Sequence, residues 1–147
     1  MKIYLDGGSL ADISLFSKNN KISGFTTNPS LLKSSSIINY KNFVYNCSKI
    51  TNKPISFEVT ADNYDTMLKQ SEWLSKHFKN SYIKIPILNT KGQYNTKIIQ
   101  KLTSLKYNLN ITAVFTKNHN EIIHKLESVN TTIILLVYLG KSRTNLK

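Results

Sequence analysis

The chain has 147 residues, of which 40% are hydrophobic and 19% charged, and it carries a formal net charge of +12. That is enough chain for one folded domain with a real core, and its composition excludes a disordered segment. The charge does not single out nucleic acid as a partner: the lysines are scattered, and arginine, which suits planar forks on bases and phosphates, appears once, at Arg143.

Cys47 is the only cysteine, so neither an intrachain disulfide nor a thiolate metal cluster is expected. The sequence lacks a signal-peptide layout and an apolar run of about 18 residues, so a cytoplasmic protein without a membrane span is expected.

In chain order, residues 3–6 read as a short strand ending in Asp6. Ser9 is a candidate N-cap, and Leu10, Ile13 and Phe16 follow at helical spacing. Residues 22–26 form a second strand, stopped by Pro29. Tyr40, Phe43, Val44 and Cys47 mark the next helical face. Residues 55–59 are the third strand, and Asp62 is the expected cap of the helix after it. The inner face of that helix is Tyr64, Met67, Leu68, Ser71, Leu74 and Phe78. The fourth strand contains Tyr82-Ile83-Lys84-Ile85-Pro86. Thr90 to Gln93 reads as a capping box, with Tyr94, Ile98, Ile99, Leu102 and Leu105 as the apolar stripe beyond it. Residues 109–115 are the fifth strand. Asn118 with Glu121 is the expected cap of a helix that buries Ile122, Ile123 and Leu126. Residues 132–139 are the sixth strand.

Six alternations of strand and helix predict a parallel sheet with helices packed on it, in one domain spanning 1–147. The strand faces choose between an open doubly wound sheet and a (β/α)8 barrel. Ile3 and Leu5 oppose Tyr4 and Asp6; Phe57 and Val59 oppose Ser56 and Glu58. Ile83 and Ile85 oppose Tyr82 and Lys84; Leu109 and Ile111 oppose Asn108, Asn110 and Thr112. A doubly wound sheet is apolar on both faces. One oily face and one polar face fit a TIM barrel, with polar residues converging at the C-terminal strand ends.

Lys84 stands out, because burying an ammonium between isoleucines is costly unless it is paired, snorkelling or used for chemistry. A lysine that can shed its proton attacks carbonyls and forms Schiff bases. Asp6, Asn28, Glu58, Lys84, Asn110 and Thr112 all fall at or near C-terminal ends of five different strands, where barrel enzymes place their sites. His77, His119 and His124 offer no matching ligand set, and Trp73 and Tyr64 read as packing residues.

Leu-Asp at 5–6, Gly-Phe-Thr-Thr-Asn-Pro-Ser at 24–30, Phe-Glu-Val at 57–59, Lys-Ile-Pro at 84–86 and Asn-Ile-Thr at 110–112 resemble the transaldolase family. The resemblance is greatest to its short subgroup, which includes fructose-6-phosphate aldolase-like enzymes. It implies metal-free class I aldol chemistry without a cofactor. A dihydroxyacetone unit would pass from sedoheptulose 7-phosphate to glyceraldehyde 3-phosphate, in the pentose phosphate pathway. It further implies Lys84 as Schiff-base nucleophile, Asp6 as general acid/base, and Glu58 with Thr112 as holders of a proton-shuttling water. Asn28 and Asn110 would bind substrate hydroxyls, with Thr26 supporting Asp6 and Asn28. Both carboxylates would have to stand back from the amine or reach it through water, since a neutral amine is needed. Glutamate at 58 resembles transaldolases; aldolase-like members tend to carry glutamine. The implied partners are sugar phosphates, with no specific nucleic acid and no membrane; intact members of the family form homo-oligomers.

The resemblance runs from Lys2 to about Lys141 and weakens in the sixth strand. Leu136 stands where a small polar residue is usual, Tyr138 matches an aromatic position that shapes the site, and Lys141 replaces a phosphate-gripping arginine. From about 142 the sequence diverges. The expectation is a C-terminally truncated barrel with about its first six βα units, two unpaired sheet edges, and a tendency to associate. A frameshift in an A-rich codon run, or completion by a second polypeptide, would account for such a chain. The alternatives are fructose-6-phosphate aldolase-type cleavage, an inactive truncated remnant, or a non-catalytic basic protein that binds nucleic acid through charge.

Overall fold

A computed structural model describes residues 2–6, 9–28, 39–126 and 133–135. Strands and helices alternate as β1 (Tyr4–Leu5), α1 (Leu10–Phe16), β2 (Gly24–Thr26), α2 (Tyr40–Ile50), β3 (Ile55–Glu58), α3 (Tyr64–His77), β4 (Ser81–Pro86), α4 (Thr96–Ser104), β5 (Leu109–Thr112), α5 (Lys117–Leu126) and β6 (Ile133–Leu135). The strands lie in the order β1-β2-β3-β4-β5-β6, and every neighbouring pair is parallel. With right-handed crossovers, such a one-way progression sets all the helices on one face of the sheet. This is the arrangement of one side of a (β/α) barrel. The described residues carry five βα units and a sixth strand, rather than six full units. Of the strand expected at 132–139, residues 133–135 are described.

Strand register sorts the side chains as their alternation requires. The partners Tyr4↔Gly24, Thr26↔Ser56, Ser56↔Tyr82, Glu58↔Lys84, Lys84↔Asn110 and Pro86↔Thr112 share one face. The partners Phe25↔Ile55, Phe57↔Ile83, Ile83↔Leu109 and Ile85↔Ile111 share the other. That second face is buried against Ile13, Phe43, Val44, Cys47, Met67, Leu74, Ile98, Ile99, Leu102 and Ile123 from the helices. Each such large side chain contributes about 1.5–3 kcal/mol on burial. Phe57 is central: its ring meets Tyr40, Phe43 and Phe78 edge-on, at centroid distances of 6.5, 6.4 and 5.3 Å. The polar face starts on a floor of Tyr4 and Tyr82. Gly24 makes room for it, since a Cβ there would lie 2.6 Å from Tyr4 Cε1 and 2.6 Å from the Pro54 carbonyl oxygen.

The helix starts are set locally, and three differ from expectation. Ser9 caps α1 as expected, in a box with Asp12. For α3 the cap is Asn63, whose Oδ1 accepts from Thr66 N at 3.0 Å. Asp62 instead clamps the next loop, accepting from Thr90 N at 2.9 Å and Thr90 Oγ1 at 2.5 Å. These bonds, the hydroxyl's first, hold its carboxyl below the usual carboxylate range. Thr90 to Gln93 is a tight turn rather than a capping box. Asn89 Oδ1 accepts from Lys91 N and Gln93 N at 3.0 and 2.9 Å, and Gly92 takes a φ of +73°. Tyr94 then bridges Leu88, and α4 starts only after Asn95. For α5 the cap is Thr116, whose Oγ1 accepts from His119 N at 3.2 Å, while Asn118 Nδ2 donates to Tyr94 Oη. β5 ends at Thr112, ahead of the expected 115, because Ala113 turns to a φ of +60° and leaves the extended region.

Cys47 is fully buried, as its place on the α2 stripe requires, and burial pushes its thiol from 9.0 up to about 12. The folded thiol therefore stays protonated where an unfolded one ionises. Its contribution to stability is complete below about pH 9 and fades as pH rises towards 12. Iodoacetamide at pH 8 is expected to leave Cys47 untouched in the native chain and to label it in urea. Rapid labelling without denaturant would contradict this burial.

Candidate active site

Seven of the expected site residues, Asp6, Thr26, Asn28, Glu58, Lys84, Asn110 and Thr112, fall at or near the C-terminal ends of neighbouring strands. Lys84, on β4, is at the centre. Its side chain is 12% exposed, and its Nζ lies 3.1 Å from Glu58 Oε2 on β3. Nζ also donates to the Thr27 carbonyl oxygen at 3.1 Å. Glu58 is therefore in direct contact with the amine; it does not stand back from it or need a water to reach it. The register explains this, because Glu58 and Lys84 are paired Cα partners on the same face of adjacent parallel strands.

Asp6, just past β1, accepts a 2.6 Å hydrogen bond from Thr26 Oγ1 on β2. That bond ties the end of β2 to the residue that follows β1. Asn28 follows β2 at the same end of the sheet. Asn110, on β5 beside Lys84, is fully buried, and its Nδ2 donates to Ser56 Oγ at 3.0 Å. Those two residues lie two strands apart, roughly 9.5 Å in a flat sheet. Their direct bond means the sheet is curled, with its polar side concave. Thr112 ends β5 next to Pro86. Leu136, Tyr138 and Lys141, and the divergent tail from 142, lie outside the described residues.

Three contributors went unrecognised in the sequence. The Thr27 carbonyl oxygen accepts from Lys84, and the Thr27 hydroxyl donates to the Ser56 carbonyl oxygen at 2.9 Å. Tyr40 reads as one member of an apolar stripe, yet its hydroxyl donates to the Glu58 carbonyl oxygen at 3.1 Å. Burial drives its phenol far above the usual tyrosine range. Ser56 reads as a polar-face residue with no partner in view. Its alternation with Phe57 was the available signal; the span across β4 was not.

Two grooves flank this centre. One, of about 510 Å³, sits between the loops after β3 and β4 and is bordered by Asp62, Tyr64 and Lys97. Another, of about 440 Å³, reaches Glu58 from the side of Tyr40 and Trp73. The histidines are elsewhere: His77 stacks on Trp73, and His119 Nδ1 accepts from Phe115 N at 3.3 Å. Among the described residues, no group of three histidine, cysteine or acidic side chains could hold a metal, and no helix is long and apolar enough to cross a membrane.

Comparison with known proteins gives a consistent picture. The family model for transaldolase/fructose-6-phosphate aldolase matches residues 3–134. A probable transaldolase of Dehalococcoides mccartyi is 34% identical over 119 residues, which cover 80% of this chain and 53% of that protein. A probable transaldolase of Carboxydothermus hydrogenoformans is 34% identical over 118 residues, with the same two coverages. One of Clostridium botulinum is 33% identical over 115 residues, covering 78% of this chain and 51% of that protein. The chain spans about half the length of the curated relatives it matches. With its motifs in order, its strands in register and its matched segment covering most of its length, the chain belongs to the transaldolase/fructose-6-phosphate aldolase family.

Proposed function

We propose that this chain carries the Schiff-base chemistry of a transaldolase, moving a dihydroxyacetone unit between sugar phosphates. The observation that carries the reading is the placement of Lys84 Nζ, mostly buried, between the Glu58 carboxylate and the Thr27 carbonyl on a concave polar face. Glu58 is close enough to take the ammonium proton and free the amine lone pair. The amine adds to the C2 carbonyl of a ketose phosphate to give a carbinolamine. Loss of water, with the proton returned by Glu58 through a water that Glu58 and Thr112 hold, gives the iminium. Asp6, steadied by Thr26, takes the C4 hydroxyl proton as the C3–C4 bond breaks. The aldehyde leaves, and the bonding electrons stay on Lys84 as an enamine. Addition of that enamine to an acceptor aldehyde, followed by hydrolysis, completes the transfer. Asn28 and Asn110 hold the hydroxyls of the three-carbon unit, while Tyr138 and Lys141 would serve the far end of the substrate and its phosphate.

Glutamate at 58 favours transfer over aldolase-type release of free dihydroxyacetone. The reading is tested by borohydride reduction in the presence of fructose 6-phosphate, followed by peptide mapping. A single adduct on the peptide containing Lys84 is the expected result. No adduct, or labels shared among exposed lysines such as Lys18, would overturn it.

A further inference from the structure

Asn110 Oδ1 is buried on the polar face, and among the described residues it has no hydrogen-bond partner. A buried carbonyl oxygen left unpaired costs about 1–3 kcal/mol, so a native fold seldom leaves one idle. The other end of the same amide is engaged: Nδ2 donates across β4 to Ser56 Oγ at 3.0 Å. Ser56 is itself fixed. It is almost fully buried, and its carbonyl oxygen accepts from both the backbone N–H and the hydroxyl of Thr27, at 3.0 and 2.9 Å. Thr27 in turn receives the Lys84 ammonium on its own carbonyl.

We propose that Ser56 is a positioning residue that anchors the Asn110 amide through Nδ2, so that Oδ1 is held beside Lys84 as an acceptor for a ligand hydroxyl. An asparagine amide can rotate end for end, and the two orientations offer opposite chemistry, one an acceptor and the other a donor. With Nδ2 tied to Ser56, the oxygen is the end of the amide left over as an acceptor. A ketose unit bound at Lys84 brings hydroxyl donors, and one of them satisfies the orphaned oxygen. Ser56 touches no substrate in this arrangement and acts through Asn110 alone. This inference rests on the imine chemistry assigned to Lys84 for the identity of the ligand, but not for the Ser56–Asn110 bond.

A double-mutant cycle tests it, with borohydride trapping of dihydroxyacetone on the full chain as the measurement. Ser56→Ala is expected to raise the half-saturating dihydroxyacetone concentration roughly ten-fold, the size of one hydrogen bond to a buried group. The trapping rate at saturation should change much less. In an Asn110→Ala background, Ser56→Ala should have no further effect. An independent increment in that background, or no effect in either, overturns the proposal. Should the wild-type chain form no imine, the Schiff-base reading fails, and Ser56 is then judged by hydrogen exchange of the Asn110 side-chain amide in nuclear magnetic resonance. Ser56→Ala is expected to speed that exchange at least about ten-fold, since the protecting acceptor is gone. An unchanged rate overturns the positioning role.

Discussion

Lys84→Ala is expected to abolish the borohydride adduct and to lower any dihydroxyacetone transfer on the order of 10⁴-fold or more. The nucleophilic nitrogen is removed, and among the described residues of the polar strand face no other side chain is an amine. Lys84→Arg should be equally inactive for a different reason. It restores a cation beside Glu58, but a guanidinium holds its proton at any working pH and does not add to carbonyls. Comparing the two separates chemistry from structure. The alanine variant leaves Glu58, 27% exposed, without its partner. Partial solvation of that carboxylate limits the expected stability loss to about 1–2 kcal/mol in urea titrations, below the cost of breaking a fully buried pair. The arginine variant should recover part of that loss while remaining unreactive. Substantial trapping by either variant would remove Lys84 from the reaction.

Phe57→Ala is expected to be the most damaging substitution in the described core, at about 3–5 kcal/mol. Its ring is fully buried and sits among three other aromatic rings. Truncation would leave a cavity that those stiff neighbours cannot fill. Against a typical total of about 5–15 kcal/mol, such a loss consumes much of the stability. Phe57 also lies between Ser56 and Glu58 on β3, so a loosened strand would misplace both polar side chains. Urea denaturation followed by Trp73 fluorescence gives the number. A loss under about 1 kcal/mol would show that the neighbouring rings repack.

Alternation in β3, β4 and β5 made the two faces of the sheet readable from sequence, and with them the cluster around Lys84. A strand shows each side chain's direction by parity alone, so Asp6, Glu58, Lys84 and Asn110 could be assigned to one face before any distance was known. Local ambiguity hid the caps. Asp62 and Asn63 are adjacent and equally suited to capping; the choice was made by Thr90, which lies far along the chain and draws Asp62 away. Tyr94 had the spacing of a helical stripe, but its bridge to Leu88 delays α4. The contact of Glu58 with Lys84 does not follow from the needs of a neutral amine; it follows from the strand register that sets the two side by side. The bond from Asn110 to Ser56 depends on curvature, and curvature is a property of the whole sheet that no single segment carries.

The strictly consecutive strand order bears on how the chain is made. Synthesis proceeds from the N-terminus, and each new strand finds its partner already present at one growing edge. Asp6 is made before Thr26, Glu58 before Lys84, and Ser56 before Asn110. No strand has to be inserted between two that are already joined, the kind of late non-local pairing that slows folding and exposes edges to aggregation. The polar groups are therefore matched in the sequence in which they leave the ribosome. The half-buried Lys84 side chain emerges into a nascent chain that already contains the carboxylate and carbonyl it will bind.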